Sequence, residues 1–136
     1  MTAACAFTWL GLVLGISFLE APLKFRAPGV TLRLGLGIGR LVFAALNRIE
    51  VLLAIAVWVT LLVGSRSPAA LTAAGAVVLV LLVQLTAVRP ALTRRSDRVL
   101  AGEDGPRSRA HLGYVGLEVV KVVALVALGA SALTGS

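Results

Sequence analysis

"ALNRIEVLLAIAVWVT", residues 45–60, decides how this chain is read. It has the alanine, leucine and valine content of a membrane-spanning helix, yet Asn47, Arg48 and Glu50 stand near its start. The run that follows, from Val51 to Ser65, carries no charge. As a helix it rises only about 22 Å at about 1.5 Å per residue, too little for a hydrocarbon core about 30 Å thick. A crossing helix must therefore extend backward through "RLVFAALNRIE", which draws Asn47 and Glu50 beneath the headgroups. "HLGYVGLEVVKVVALVALGA", residues 111–130, obeys the same arithmetic. The charge-free tail from Val122 to Ser136 is no longer than the first run, so the helix begins near His111 or Leu112 and carries Glu118 and Lys121 into the membrane region.

Composition agrees. The chain has 136 residues, enough for one domain, of which 59% are apolar and only 14% charged. A water-soluble domain carries about a quarter charged residues. The natural solvent for this chain is lipid, and its basic excess of +7 fits the Arg-rich loops of a membrane protein better than nucleic-acid binding. The one cysteine, Cys5, forms no internal disulfide and builds no cysteine-rich metal site.

Four spans follow. Residues 2–19, "TAACAFTWLGLVLGISFL", hold no charge and are ended by Glu20 and Pro22. With no positive leading region and no small-residue cleavage site, this run reads as a retained first span and not as a signal peptide. Residues 21–40 read as a loop with an amphipathic piece at the membrane surface. Ser67 and Pro68 suit the cap and first position of the third span, which only Gln84 interrupts before Arg89 and Pro90. Residues 89–110 form a second basic loop with a short interfacial helix that "AGEDGP" breaks. The expected fold is an all-α membrane protein, a single domain over 1–136, with four transmembrane helices in two hairpins and short amphipathic helices in two basic loops. Five basic residues lie between Glu20 and Arg48 and six between Arg89 and Arg109, against Arg66 alone between spans two and three. The positive-inside rule then puts both loops in the cytoplasm and both termini outside.

The two halves, 1–66 and 67–136, share a pattern. A shift by half the chain lays Pro22 on Pro90, Arg26 on Arg94, Glu50 on Glu118, Val51 on Val119 and Ala56 on Ala124. Duplication of a helical hairpin and coincidence are both open on these few identities.

Helical positions i, i+3, i+7 and i+10 share a face. Arg40, Phe43, Asn47 and Glu50 have this spacing, as do His111, Tyr114, Glu118 and Lys121. A carboxylate facing lipid costs at least ~2–3 kcal/mol, so both stripes should turn inward. Glu50, Glu118, Asn47, His111, Tyr114 and Lys121 are accordingly candidates for binding a small solute, an ion or a proton at a cytoplasm-facing crevice. The competing reading pairs the carboxylates with Arg48, Lys121, His111 or Gln84 as packing devices. Arg26, Arg33, Arg40, Arg94, Arg95 and Arg98 are candidates for lipid headgroups. One histidine and no acidic cluster give little basis for a metal, and no nucleophile–base pair suggests an enzyme or a cofactor. "GLGIG", residues 35–39, lacks the dinucleotide spacing and reads as loop flexibility or close packing, while Gly11 and Gly15 offer a GxxxG contact face.

"SFLEAPLKF" (17–25), "GRLVFAALNRIE" (39–50), "VRPALTRR" (88–95) and "HLGY" (111–114) together resemble the small four-helix bacterial membrane proteins of the transmembrane-protein-205-like family. The resemblance implies a four-helix integral membrane protein and supplies no catalytic residues. The functional expectation is a small, non-enzymatic, multi-pass protein of a bacterial inner membrane. The alternative is an accessory subunit that packs against a larger membrane complex or binds anionic lipid. Membrane lipid, a membrane-protein partner or a second copy are the expected partners, and nucleic acid is not.

Overall fold

The computed structural model describes residues 1–64, 67–88, 90, 94 and 109–134, with the side chains of 87, 88 and 109–112 excepted. Every regular element among them is helical. Helix α1 (Thr2–Val13) runs into a π-helical stretch, Leu14–Glu20, then α2 (Ala21–Leu23) and a 3₁₀ turn, Lys24–Arg26. Helix α3 is Leu32–Val63, α4 is Pro68–Val83 with a second π-helical stretch at Gln84–Val88, and α5 is Arg109–Thr134. Four of the resulting helical runs, Thr2–Arg26, Leu32–Val63, Pro68–Thr86 and Gly113–Thr134, are long and apolar enough to cross a membrane.

Local chemistry sets these boundaries. Thr31 caps α3 by accepting from the Leu34 amide at 3.1 Å, and Ser67 caps α4 by accepting from the Ala70 amide at 3.4 Å with Pro68 in the first turn. No proline and no cap interrupts residues 32–63, so the piece expected to lie apart on the surface is instead the beginning of α3. At 32 residues α3 is roughly 48 Å long, well over the hydrocarbon thickness. Span one also differs from expectation, because Glu20 and Pro22 do not end it. Pro22 has no amide hydrogen to give Phe18, and its ring would strike that carbonyl in a regular α-helix. The wider π turn moves the carbonyl aside, and Ala21 donates to Ile16, five residues back. The second π stretch likewise ends two residues before a proline, Pro90. The interfacial helix expected within residues 89–110 lies outside the described residues.

Helix α1 packs on α3 and α5, and α4 packs on α5. The buried core toward Thr60 is apolar: Ala6, Val57, Leu61, Val77 and Leu125 are among its members. The outside is equally greasy. On α3 alone Leu52, Ile55, Val59 and Leu62 are each more than half exposed while Glu50 is 0% exposed. Water-soluble folds bury the former and expose the latter, so this inversion is the mark of a bundle in lipid. Glycines admit the closest side chains. A Cβ at Gly11 or Gly15 of the GxxxG would meet nothing within 4 Å, so these two are not the close-approach glycines expected; Gly35 and Gly39 of "GLGIG" receive Phe25 and Lys24, and Gly129 receives the ring of Phe7. A Cβ at Gly129 would lie 2.5 Å from Phe7 Cζ. Gly129→Ala is expected to push Phe7 outward and lower stability by about 1–2 kcal/mol, read as a drop in thermal unfolding temperature in detergent.

The half-chain shift reappears in the burial pattern. Ala6 and Ala74, Trp9 and Val77, Val13 and Leu81, Leu46 and Tyr114, Glu50 and Glu118, Val57 and Leu125 are buried pairs. The two halves thus present corresponding faces to the interior.

Candidate functional site

Five polar side chains from all four spans meet inside the bundle. Glu50 comes from α3, Glu118 and Lys121 from α5, Gln84 from the end of α4 and Trp9 from α1, and none is more than 2% exposed. Glu50 and Lys121 each lie thirteen residues from the end of their helix, Val63 and Thr134, or roughly 20 Å along the axis. Their direct contact puts them at one level of the bundle.

Lys121 is the centre. Its Nζ donates to Glu50 Oε2 at 2.5 Å and to Gln84 Oε1 at 2.7 Å, and forms an ion pair with Glu118 Oε1 at 2.7 Å. Each carboxylate has a further neutral donor. Trp9 Nε1 donates to Glu50 Oε2 at 2.8 Å, and Gln84 Nε2 donates to Glu118 Oε1 at 2.7 Å. The arrangement is nearly two-fold. One oxygen of each glutamate takes Lys121 and a donor from the α1 or α4 run. The other oxygen, Glu50 Oε1 or Glu118 Oε2, is buried with no hydrogen-bond partner. Counted as ionised, two glutamates and one lysine sum to −1.

The expected site residues divide accordingly. Glu50, Glu118 and Lys121 come together as their spacing implies. Tyr114, one turn before Glu118 and buried, sets its ring edge-on to Phe43 with centroids 5.7 Å apart, so the two stripes do meet. Asn47 is half-buried and outside the network, and the His111 side chain lies outside those described. Arg48, weighed as a partner for Glu50, is exposed; two positions from Glu50 on a helix it points elsewhere. At the cluster itself the Lys121 stem and the Trp9 indole are buried among the carboxylates. Sequence patterning misses Trp9, although an indole N–H in an otherwise apolar span is a signal. Among the headgroup candidates Arg26, Arg33, Arg40 and Arg94 are exposed, Arg94 donating from Nε to the Pro90 carbonyl at 3.3 Å, while Arg95 and Arg98 lie outside the described residues. No group of three or more His, Cys, Asp or Glu side chains gathers to hold a metal among the described residues.

A second polar group sits toward the Lys24 end. Lys24, its side chain 11% exposed, pairs with Glu20 at 3.7 Å and lies 5.9 Å from the Phe43 ring centre. At the opposite end a half-open cavity of about 530 Å³ is lined by Thr2, Thr60, Ser67, Leu61 and Ser131 among others, and Thr2 donates to Thr60 across it at 2.8 Å. No family model, no curated protein and no solved structure matches the chain, so the resemblance drawn above rests on its quoted motifs alone.

Proposed function

We propose that this chain is a small, non-enzymatic, multi-pass membrane protein that takes up and releases a small cation or a proton at the Glu50–Glu118–Lys121 cluster. The observation that carries the reading is the charge count with its two bare oxygens: a formal −1, held inside lipid, with Glu50 Oε1 and Glu118 Oε2 buried and unpartnered. Polar atoms in such surroundings are nearly always hydrogen-bonded, and an unneutralised charge there is costly. One proton or one monovalent cation would neutralise that charge and engage a bare oxygen. The positive-inside distribution supports an inner-membrane setting with two hairpins, both basic loops in the cytoplasm and the cluster served from that side.

Purified protein in liposomes loaded with a pH-sensitive dye tests this. Wild type is expected to dissipate an imposed proton or sodium gradient, and Glu50→Gln and Glu118→Gln, each still folded, to lose about a hundredfold of that flux, the lower end of the usual scale for removing a proton-transfer group. Unchanged flux in both variants would sink the proposal.

One observation favours a second reading. The network ties α1, α3, α4 and α5 together at a single level, as a packing device for an accessory subunit would. That reading gains if the glutamine variants lose thermal stability and partner recovery while wild type carries no flux.

A further inference from the structure

The interior of the bundle is unlike on the two sides of the cluster. Toward Thr60 it is hydrocarbon: Val57, Leu61, Val77, Leu125 and Leu128 are buried over about 15 Å, the rise of the ten residues from Glu50 to Thr60. Toward Lys24 the buried Leu46 and Val13 are joined by polar groups that face inward. Trp9, Val13 and Ser17 succeed one another at i, i+4 and i+8 on one face of span one, and Glu20 and Lys24 follow on the next two turns. Ser17 Oγ is buried with no hydrogen-bond partner, and so is Glu20 Oε2, 3.7 Å from Lys24 and beyond hydrogen-bond reach. The ring contacts join this group to the cluster: Lys24 lies 5.9 Å from Phe43, Phe43 stands 5.7 Å from Tyr114, and Tyr114 is one turn from Glu118. Glu20 itself is 35% exposed and so opens the series to the surface.

We infer that Ser17, Glu20, Lys24 and Tyr114 line a one-sided, water-bearing path that connects the buried carboxylates to the Lys24 end alone, the apolar layer closing the other end. The inference rests on the cation- or proton-handling reading above and adds its route. Water is the ligand that fits: small, able to donate to Ser17 Oγ, Glu20 Oε2, Glu118 Oε2 and Glu50 Oε1 in turn, and stable in a buried site that offers several polar partners. Glu20 gives a cation a favourable mouth. Lys24 is a positioning residue that holds Glu20 and sits against Gly39, where a Cβ would come within 3.1 Å of its Nζ.

Thiol accessibility tests the path without requiring any transport. In a Cys5→Ala background, Ser17→Cys and Val77→Cys are reconstituted in vesicles of known orientation, and Ag⁺ is added on one side at a time. Protection of the thiol from later maleimide labelling is followed in time. Ser17→Cys is expected to react from the Lys24 side roughly 30-fold or more faster than Val77→Cys, since carrying a cation into hydrocarbon carries a penalty of at least that factor. Neither should react quickly from the Thr60 side. Adding Glu20→Gln should slow Ser17→Cys several-fold. Should Ser17→Cys disturb the fold, Glu20→Cys, nearer the mouth, replaces it as the probe. Equal, slow reaction of the two positions from both sides, or fast reaction of Ser17→Cys from the Thr60 side, overturns the path. Gradient dissipation by the Glu50 and Glu118 variants is a separate measurement, so the path and the reading beneath it fail independently.

Discussion

Lys121→Met is expected to lower stability by about 3 kcal/mol and to broaden or abolish cooperative thermal unfolding in mild detergent. The substitution keeps an unbranched stem of similar length, so little packing is lost. What goes is the one ammonium that touches Glu50 Oε2, Glu118 Oε1 and Gln84 Oε1 at once. Both carboxylates are then left at 0–1% exposure with only Trp9 and Gln84 as donors. Removing one partner of a buried ionic network costs more than the network is worth, because the remaining charge stays in a low-dielectric site. The control follows from that asymmetry. Lys121→Met combined with Glu50→Gln and Glu118→Gln removes every formal charge from the cluster and should recover most of the loss. If the single variant melts at the wild-type temperature, the three groups are not an ionic network and the charge count behind the functional proposal has no footing.

Much of this arrangement is legible in the sequence because membrane thickness is a hard ruler. The charge-free runs Val51 to Ser65 and Val122 to Ser136 are each too short to cross alone, so Glu50, Glu118 and Lys121 are drawn into the bilayer. The 100° turn of a helix then puts Phe43 with Glu50 and Tyr114 with Glu118, and the observed ring contact shows those faces touching. Two things are not legible. The first is which side chain faces which across helices, a matter of axial offset that no single-chain periodicity encodes. Arg48 looks as good a partner for Glu50 as Lys121 does, although they lie 2 and 71 positions away. The second is the course of the backbone around Pro22. A proline after an acidic residue reads as a helix stop, and here a π turn absorbs it so that the helical course continues to Arg26. That continuation brings Ser17, Glu20 and Lys24 along the same interior, where sequence alone ends the span at Glu20 and puts Lys24 in a loop.

Trp9 is expected to have the largest effect of any neutral side chain, and its two contributions can be separated. Trp9→Ala should cost about 4–5 kcal/mol: the side chain is 1% exposed, the largest of the fully buried ones, and packs in the core that Val13, Val57 and Leu125 share. Trp9→Phe keeps most of that volume and removes the indole N–H that Glu50 Oε2 receives at 2.8 Å. Hydrogen bonds to charged groups contribute about 1.5–3 kcal/mol, so Trp9→Phe should fall in that range. The two mechanisms respond differently to Glu50→Gln. A lost charged acceptor weakens the hydrogen bond and leaves the cavity alone, so the cost of Trp9→Phe should shrink by about 1 kcal/mol in the Glu50→Gln background while the extra cost of Trp9→Ala over Trp9→Phe stays the same. Thermal unfolding of the full set of single and double variants measures both. Identical Trp9→Phe costs in the two backgrounds would mean that the indole acts only as filler, and Glu50 would then depend on Lys121 alone for its place in the bundle.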